Sequence, residues 1–122
     1  MAWKFDEKSP LYLQIAHHIK LQIISNDILS GEQLPTVRDY AEIAGVNPNT
    51  MQRAFTELER EGIVYSQRTS GRFVTDDKKL IQQKRQELAQ LEFKNFIENI
   101  SKIGFKISEI PTILEDYIKE NY

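Results

Sequence analysis

Two amphipathic helices joined by a turn of only a few residues constrain this chain more than any other feature. Thr36 stands where an N-cap is needed, with Asp39 three positions on as the acceptor of a short capping box. Val37, Tyr40, Ala41 and Ala44 then fall on one face before Gly45 stops the helix. A second helix follows almost at once. Asn47 caps it, and Pro48 takes the first helical position, where a missing N–H costs nothing. Met51, Ala54, Phe55 and Leu58 form its inward stripe, giving a helix over residues 48–61 that Gly62 ends. Helices so tightly joined must cross steeply, as in a helix-turn-helix.

The flanking residues complete this unit. Ser9 and Pro10 read as an N-cap and first helical position, and Leu11, Ile15, Ile19 and Ile23, with Tyr12 and Ala16 beside them, make one apolar face of a preceding helix. After Gly62 the period changes. Residues 63–66 and 72–75 read as two strands around a polar loop at 67–71, a hairpin that would form a wing. Beyond Asp76 a long helix is expected, solvated over 78–87 and then apolar at Leu88, Leu91, Phe96, Ile97, Ile100 and Ile103. Gly104 ends it, and Ser108 caps a last helix carrying Ile110, Ile113, Leu114, Tyr117 and Ile118. The fold expected is mainly α with a small β-hairpin wing: a winged helix-turn-helix over residues 1–75 and a two-helix segment over 76–122.

Composition narrows the chemistry. Of 122 residues, 40% are hydrophobic and 28% charged, a globular balance with room for a small domain and an appendage but no large catalytic architecture. The chain has no cysteine, which excludes disulfides, cysteine-based zinc sites and thiol nucleophiles. His17 and His18 are adjacent on a helix, about 100° apart, and cannot form a two-ligand metal face. Glu32, Asp39 and Glu42 have no accompanying nucleophile, phosphate loop or metal-spaced set, so neither an enzyme nor a cofactor is expected. The opening residues lack a signal pattern and the apolar runs are too short to span a bilayer, which suggests a soluble cytoplasmic protein without membrane association. Eight cations and nine anions lie on each side of the boundary after Thr75. Any affinity for double-stranded DNA must therefore come from where cations are placed, not from their total.

Placement favours such affinity. At 100° per residue, Asn49, Arg53, Thr56 and Arg60 lie opposite the stripe of Met51, Ala54, Phe55 and Leu58, with Gln52 at the edge. A helix entering the major groove needs this division, with forked hydrogen-bonding side chains near its N-terminus. Arg53 is the first candidate for base readout, then Gln52 and Asn49. Thr50 and Arg38 lie on first turns of helices, where side chain and backbone N–H groups together can hold a phosphate. Arg68 and Arg72 flank the wing tip, from which an arginine can enter the minor groove. Glu57, Glu59 and Glu61 make the end of the reading helix acidic, and Arg60 among them suits an ion pair.

The run LPTVRDYAEIAGVNPNTMQRAFTELEREGIVYSQRTSGRFV, with PLYLQIAHHIKLQI before it, resembles the GntR family of bacterial transcription regulators over residues 10–74. The short helical tail is similar to that of the YtrA-type branch. The resemblance implies a homodimeric repressor of a near-palindromic operator. By position it aligns Arg38 with the family's arginine at the start of the second helix, and Asn47, Asn49, Thr50 and Arg53 with its DNA-contacting stretch. Gly71 aligns with the wing-tip glycine. Where the family often has another glycine two positions earlier, this chain has Thr69, which leaves the wing's geometry and its minor-groove contact open.

The tail is too apolar for two helices to cover each other, and at its size oligomerisation usually supplies the missing core. Leu88, Leu91, Phe96, Ile97, Ile100, Ile103, Ile110, Ile113, Leu114, Tyr117 and Ile118 are the expected homodimer contacts. Two helices also cannot enclose a drug-sized pocket within one subunit, so a small-molecule effector, if one exists, is expected between subunits. The rival reading is a winged-helix protein-interaction module without DNA binding. The polar outward face of the reading helix argues against it, because partner surfaces favour aromatic and aliphatic anchors.

Overall fold

A computed structural model describes residues 3–122 of the chain. Five α-helices and one two-stranded antiparallel hairpin appear in it: α1 Leu11–Ile24, α2 Val37–Ala44, α3 Pro48–Arg60, β1 Val64–Gln67, β2 Gly71–Val74, α4 Lys78–Lys102 and α5 Ile110–Asn121. A 3-10 turn at Ile107–Glu109 precedes α5. The chain divides into two compact units, Met1–Lys84 and Arg85–Tyr122.

In the first unit the inward stripes meet. Ile15, Ile19 and Ile23 of α1, Tyr40, Ala41 and Ala44 of α2, and Met51, Ala54, Phe55 and Leu58 of α3 form one buried core with Leu34, Ile63, Val64 and Val74. Full burial of a side chain of this size contributes roughly 1.5–3 kcal/mol, which is why the 3.6-residue pattern dominates the local result. Thr36 Oγ1 accepts from Asp39 N at 3.1 Å and caps α2. At the other end Gly45 sits at φ +75°, and Val46 N and Gly45 N donate back to Ala41 and Glu42 carbonyls. This left-handed closure reverses the chain sharply enough for α3 to start within three residues. Asn47 Oδ1 then accepts from Asn49 N at 2.7 Å, with Pro48 opening the helix.

Three local expectations are corrected. Ser9 does not cap α1; Pro10 is the flanking residue, and its carbonyl accepts from Leu13 N and Gln14 N. The Gln14 side chain instead closes the N-terminal arm, donating to the Asp6 and Ser9 carbonyls while accepting from Asp6 N. Ser108 does not cap α5 either, since it lies inside the 3-10 turn, whose Glu109 carboxylate accepts from Lys106 N. Finally, the start of α4 is not uniformly solvated. Ile81 is buried in the first unit's core, and Lys84 pairs with Glu61 at 3.5 Å.

The hairpin pairs Val64 with Val74 and Gln67 with Gly71. Its outer edge is covered by residues 31–34. Gly31 N donates to Val74 O, Val74 N to Glu32 O and Leu34 N to Arg72 O, with a bridge between Gln33 and Phe73. A strand edge left unpaired would expose a row of backbone donors and acceptors. The N-terminal arm packs on the same unit: Trp3 stacks on His18 at 3.9 Å and meets Tyr40 edge-on at 5.3 Å. Burial and the neighbouring His17 lower the pKa of His18.

Candidate nucleic-acid interface

Helix α3 presents the division that its sequence suggests. Met51, Ala54, Phe55 and Leu58 are inaccessible, while Asn49, Gln52, Arg53 and Thr56 are exposed along its first turns. Two of the polar side chains are partly committed within the helix. Asn47 uses its carbonyl oxygen as the cap, and Thr56 Oγ1 donates to Gln52 O at 3.0 Å. Thr50 is partly buried beside the cap. Arg38 is exposed on the first turn of α2, beside an open depression of about 510 Å³ that also includes Thr36, Ser70 and Gly71.

Carboxylates sort the cations of this unit into two groups. Glu57 holds Arg60 by a two-pronged bond, Arg60 Nη2 lying 2.5 Å from Glu57 Oε2. That bond lowers the Glu57 pKa and raises that of Arg60. Glu59 accepts from Arg72 Nε at 2.6 Å and from Ser66 Oγ at 3.0 Å. Glu61 takes Lys20 at 2.8 Å. The acidic end of α3 is thus neutralised by its own scaffold. Among the described residues no carboxylate pairs with Arg38, Arg53 or Arg68, so those three retain uncompensated charge. Arg53 has a different partner, the ring of Tyr12, whose centroid lies 4.0 Å from the guanidinium carbon.

The wing differs from expectation at Arg72 and settles the backbone conformation at Thr69. Arg72, expected with Arg68 to flank the wing tip, turns back onto α3, where it bonds Glu59 and lies over the Phe55 ring at 5.1 Å. The cause is strand alternation: β2 puts Arg72 on the face that meets the helix, whereas Arg68 belongs to the turn and is exposed. The turn itself spans 68–70, with Ser70 N donating to Gln67 O, and Gly71 follows at φ +104°. A three-residue hairpin loop of this kind places its left-handed residue after the turn. Asn26 is the only non-glycine with positive φ among the described residues, so Thr69 sits where an ordinary side chain fits.

Residues 11–74, more than half of the chain, match the family described as bacterial regulatory proteins, gntR family. The chain belongs to the GntR family. It is accordingly a transcriptional regulator with a winged-helix DNA-binding domain. Among relatives from Bacillus subtilis, it is 33% identical over 107 residues to the uncharacterized HTH-type transcriptional regulator YhcF, with 88% of each chain covered. It is 30% identical over 113 residues to the HTH-type transcriptional repressor YtrA, covering 92% of this chain and 84% of that one. A GntR family regulator from Listeria monocytogenes shares the fold at TM-score 0.83 and 37% identity, over 92% of this chain and 98% of that chain. The DNA-binding domain of AraR, solved with operator ORX1, matches at TM-score 0.55 and 27% identity, over 59% of this chain and 93% of its own.

In this GntR chain the second unit leaves most of its apolar side chains uncovered. Ile110 is the one buried residue among those described there. Leu88, Ile97, Phe96, Ile100 and Ile113 are partly buried, whereas Leu91, Ile103, Leu114, Tyr117 and Ile118 are exposed, Ile103 at 70%. Phe96, Ile100, Ile113, Leu114 and Tyr117 line an open apolar groove of about 340 Å³. Phe93 and Ile107, absent from the sequence-derived set, are also exposed. Tyr12, Glu59 and Gln33, whose Nε2 donates to Ser70 O at 2.6 Å in the wing turn, were likewise not among the expected site residues. Only Glu59 carried a local signal, as a carboxylate on the flank of α3 between its buried stripe and its exposed face.

Proposed function

We propose that this regulator is a homodimeric repressor that reads a near-palindromic operator with the first turns of α3. The observation that carries the reading is the division of arginines. Arg53 on α3, Arg38 at the start of α2 and Arg68 at the wing tip have no carboxylate partner, whereas Arg60 and Arg72 are neutralised. Free cations at a helix start and a wing tip suit phosphate and groove contact; cations already paired do not. In this reading Arg53, Gln52 and Asn49 contact base edges. Arg38, Thr50 and the Asn47 amide position the backbone, Thr56 lies at the margin, and Gly71 shapes the wing that carries Arg68 to the minor groove. The near full-length likeness to YtrA, whose name describes a repressor, supports repression.

The second unit supplies the dimer in this reading. An apolar groove and exposed isoleucines, leucines and aromatics would be costly on a monomer, and a second copy covers them. Two such subunits would read half-sites about one DNA turn apart or a multiple of it, roughly 34–36 Å. Any effector acts between subunits.

The experiment is anisotropy of a labelled duplex from the gene's own promoter, titrated at several salt concentrations, with sedimentation of the same samples. Specific binding gives a steep negative salt slope, tighter affinity for one promoter fragment than for unrelated duplexes of equal length, and a complex of two chains per duplex. Weak, sequence-independent affinity for every promoter fragment would overturn it.

A further inference from the structure

We propose that Tyr12 is a positioning residue for Arg53, holding its guanidinium over the phenol ring so that the in-plane N–H donors are pre-ordered toward a base edge. The proposal rests on the reading of α3 as a DNA-reading helix. Tyr12 lies in the first turn of α1 and Arg53 in the second turn of α3, and the guanidinium carbon sits 4.0 Å above the ring centroid. That is well within the roughly 6 Å reach of a cation–π contact. Tyr12 is partly buried on a helix anchored by Ile15, Ala16 and Ile19, so the ring is a fixed platform.

The choice of partner matters. A bidentate bond to guanine uses the edge of the guanidinium. A carboxylate would occupy that same edge, as Glu57 does for Arg60 and Glu59 for Arg72. An aromatic ring covers a face and leaves the edge open. Of the α3 and wing arginines with a partner, Arg53 alone is held in a way compatible with reading a base. A long side chain so held loses less rotamer freedom on docking, which sharpens the difference between right and wrong base pairs.

The test uses duplexes enriched by the wild-type chain from a random-sequence library, and their single-base-pair variants. These are titrated by anisotropy against wild type, Arg53→Ala, Tyr12→Phe and Tyr12→Leu. The Arg53 Nε–Hε resonance of the free protein is followed in parallel. Tyr12→Leu is expected to lower preference by about two- to fivefold, the range of an exposed cation–π contact, at the one base pair whose preference Arg53→Ala removes. Preferences elsewhere and the Tm should hold. Tyr12→Phe keeps the ring face and should retain both the preference and the ring-current displacement of the Arg53 resonance, which Tyr12→Leu loses. Wild-type preference in Tyr12→Leu, uniform weakening at all base pairs, or tighter binding would each overturn the proposal. If Arg53→Ala changes a preference and Tyr12→Leu does not, only the Tyr12 role fails. If no duplex is enriched, the reading of α3 fails and the Tyr12 role with it.

Discussion

Arg72 Nε lies 2.6 Å from Glu59 Oε1, and this pair ties the wing to α3. Ser66 Oγ bonds the same carboxylate oxygen from the other strand, so one side chain of α3 grips both strands. Removing it in Glu59→Ala should cost about 1 kcal/mol, because the pair is only partly shielded from water. The wing should also exchange amide hydrogens faster than α1 does. An unchanged Tm with unchanged wing protection would contradict this link.

Gly71 and Thr69 should both lose stability on exchange of their side chains, through different causes. A Cβ on residue 71 would sit at φ +104° and 3.0 Å from Gln33 Nε2, so Gly71→Ala should destabilise by about 1–3 kcal/mol. Thr69→Gly restores the glycine common in the family, yet the backbone there does not need it. Its only effect should be a loss of about 0.4–1 kcal/mol from a freer unfolded chain. Thermal melts of both variants check the pair, and stabilisation by Thr69→Gly would show that the turn is strained.

Tyr40 should be visible in alkali. Burial, aided by Glu32, pushes its pKa up to about 12, and its hydroxyl donates to Gln22 Oε1 at 3.2 Å. The unfolded value is near 10, so the folded state favours the protonated phenol. Its contribution is therefore complete below about pH 10 and lost as the pH rises toward 12. Denaturant melts should show stability falling across that window, and Tyr40→Phe should flatten the fall while costing about 0.5–1.5 kcal/mol at neutral pH. A tyrosinate absorbance titration in which all five tyrosines ionise together near pH 10 would contradict the assignment.

What was legible in the sequence was local. The stripes of α1, α2 and α3, the Thr36 and Asn47 caps and the stop at Gly45 depend on neighbours within a turn or two, and the structure keeps them except at Leu11, which opens α1 and is exposed. The Arg60 pair was legible for the same reason, since Glu57 is three positions away. The partners of Arg72 and Arg53 were not. Glu59 meets Arg72 only through the hairpin's register, and Tyr12 meets Arg53 only through the packing of α1 on α3. Ile81 was hidden by the lysines and glutamines around it, because one buried contact leaves no period. Residues 31–34 lack the alternation of a strand and pair with β2 through backbone groups, which the side chains do not announce.

Tyr117→Asp tests the dimer. Tyr117 is 56% exposed in a single chain and lines the apolar groove, so a charge there should disturb the monomer's own packing little. Covered by a second copy, it would be a buried, unpaired carboxylate. Sedimentation should move from dimer to monomer at micromolar concentration while the circular dichroism spectrum keeps its helical content. A variant that stays dimeric would place the interface elsewhere.

Arg53 and Arg60 lie on the same outward side of α3, one without a carboxylate and one paired with Glu57, and comparing their alanine variants tests base reading most directly. Anisotropy against a library-selected duplex and its single-base-pair variants should show Arg53→Ala losing about 1–3 kcal/mol of preference at one position. Arg60→Ala should change affinity less than about twofold at every position, as expected for a solvated ion pair away from the groove. Equal losses in the two variants, or undiminished preference in Arg53→Ala, would contradict the assignment of the reading surface to the first turns of α3.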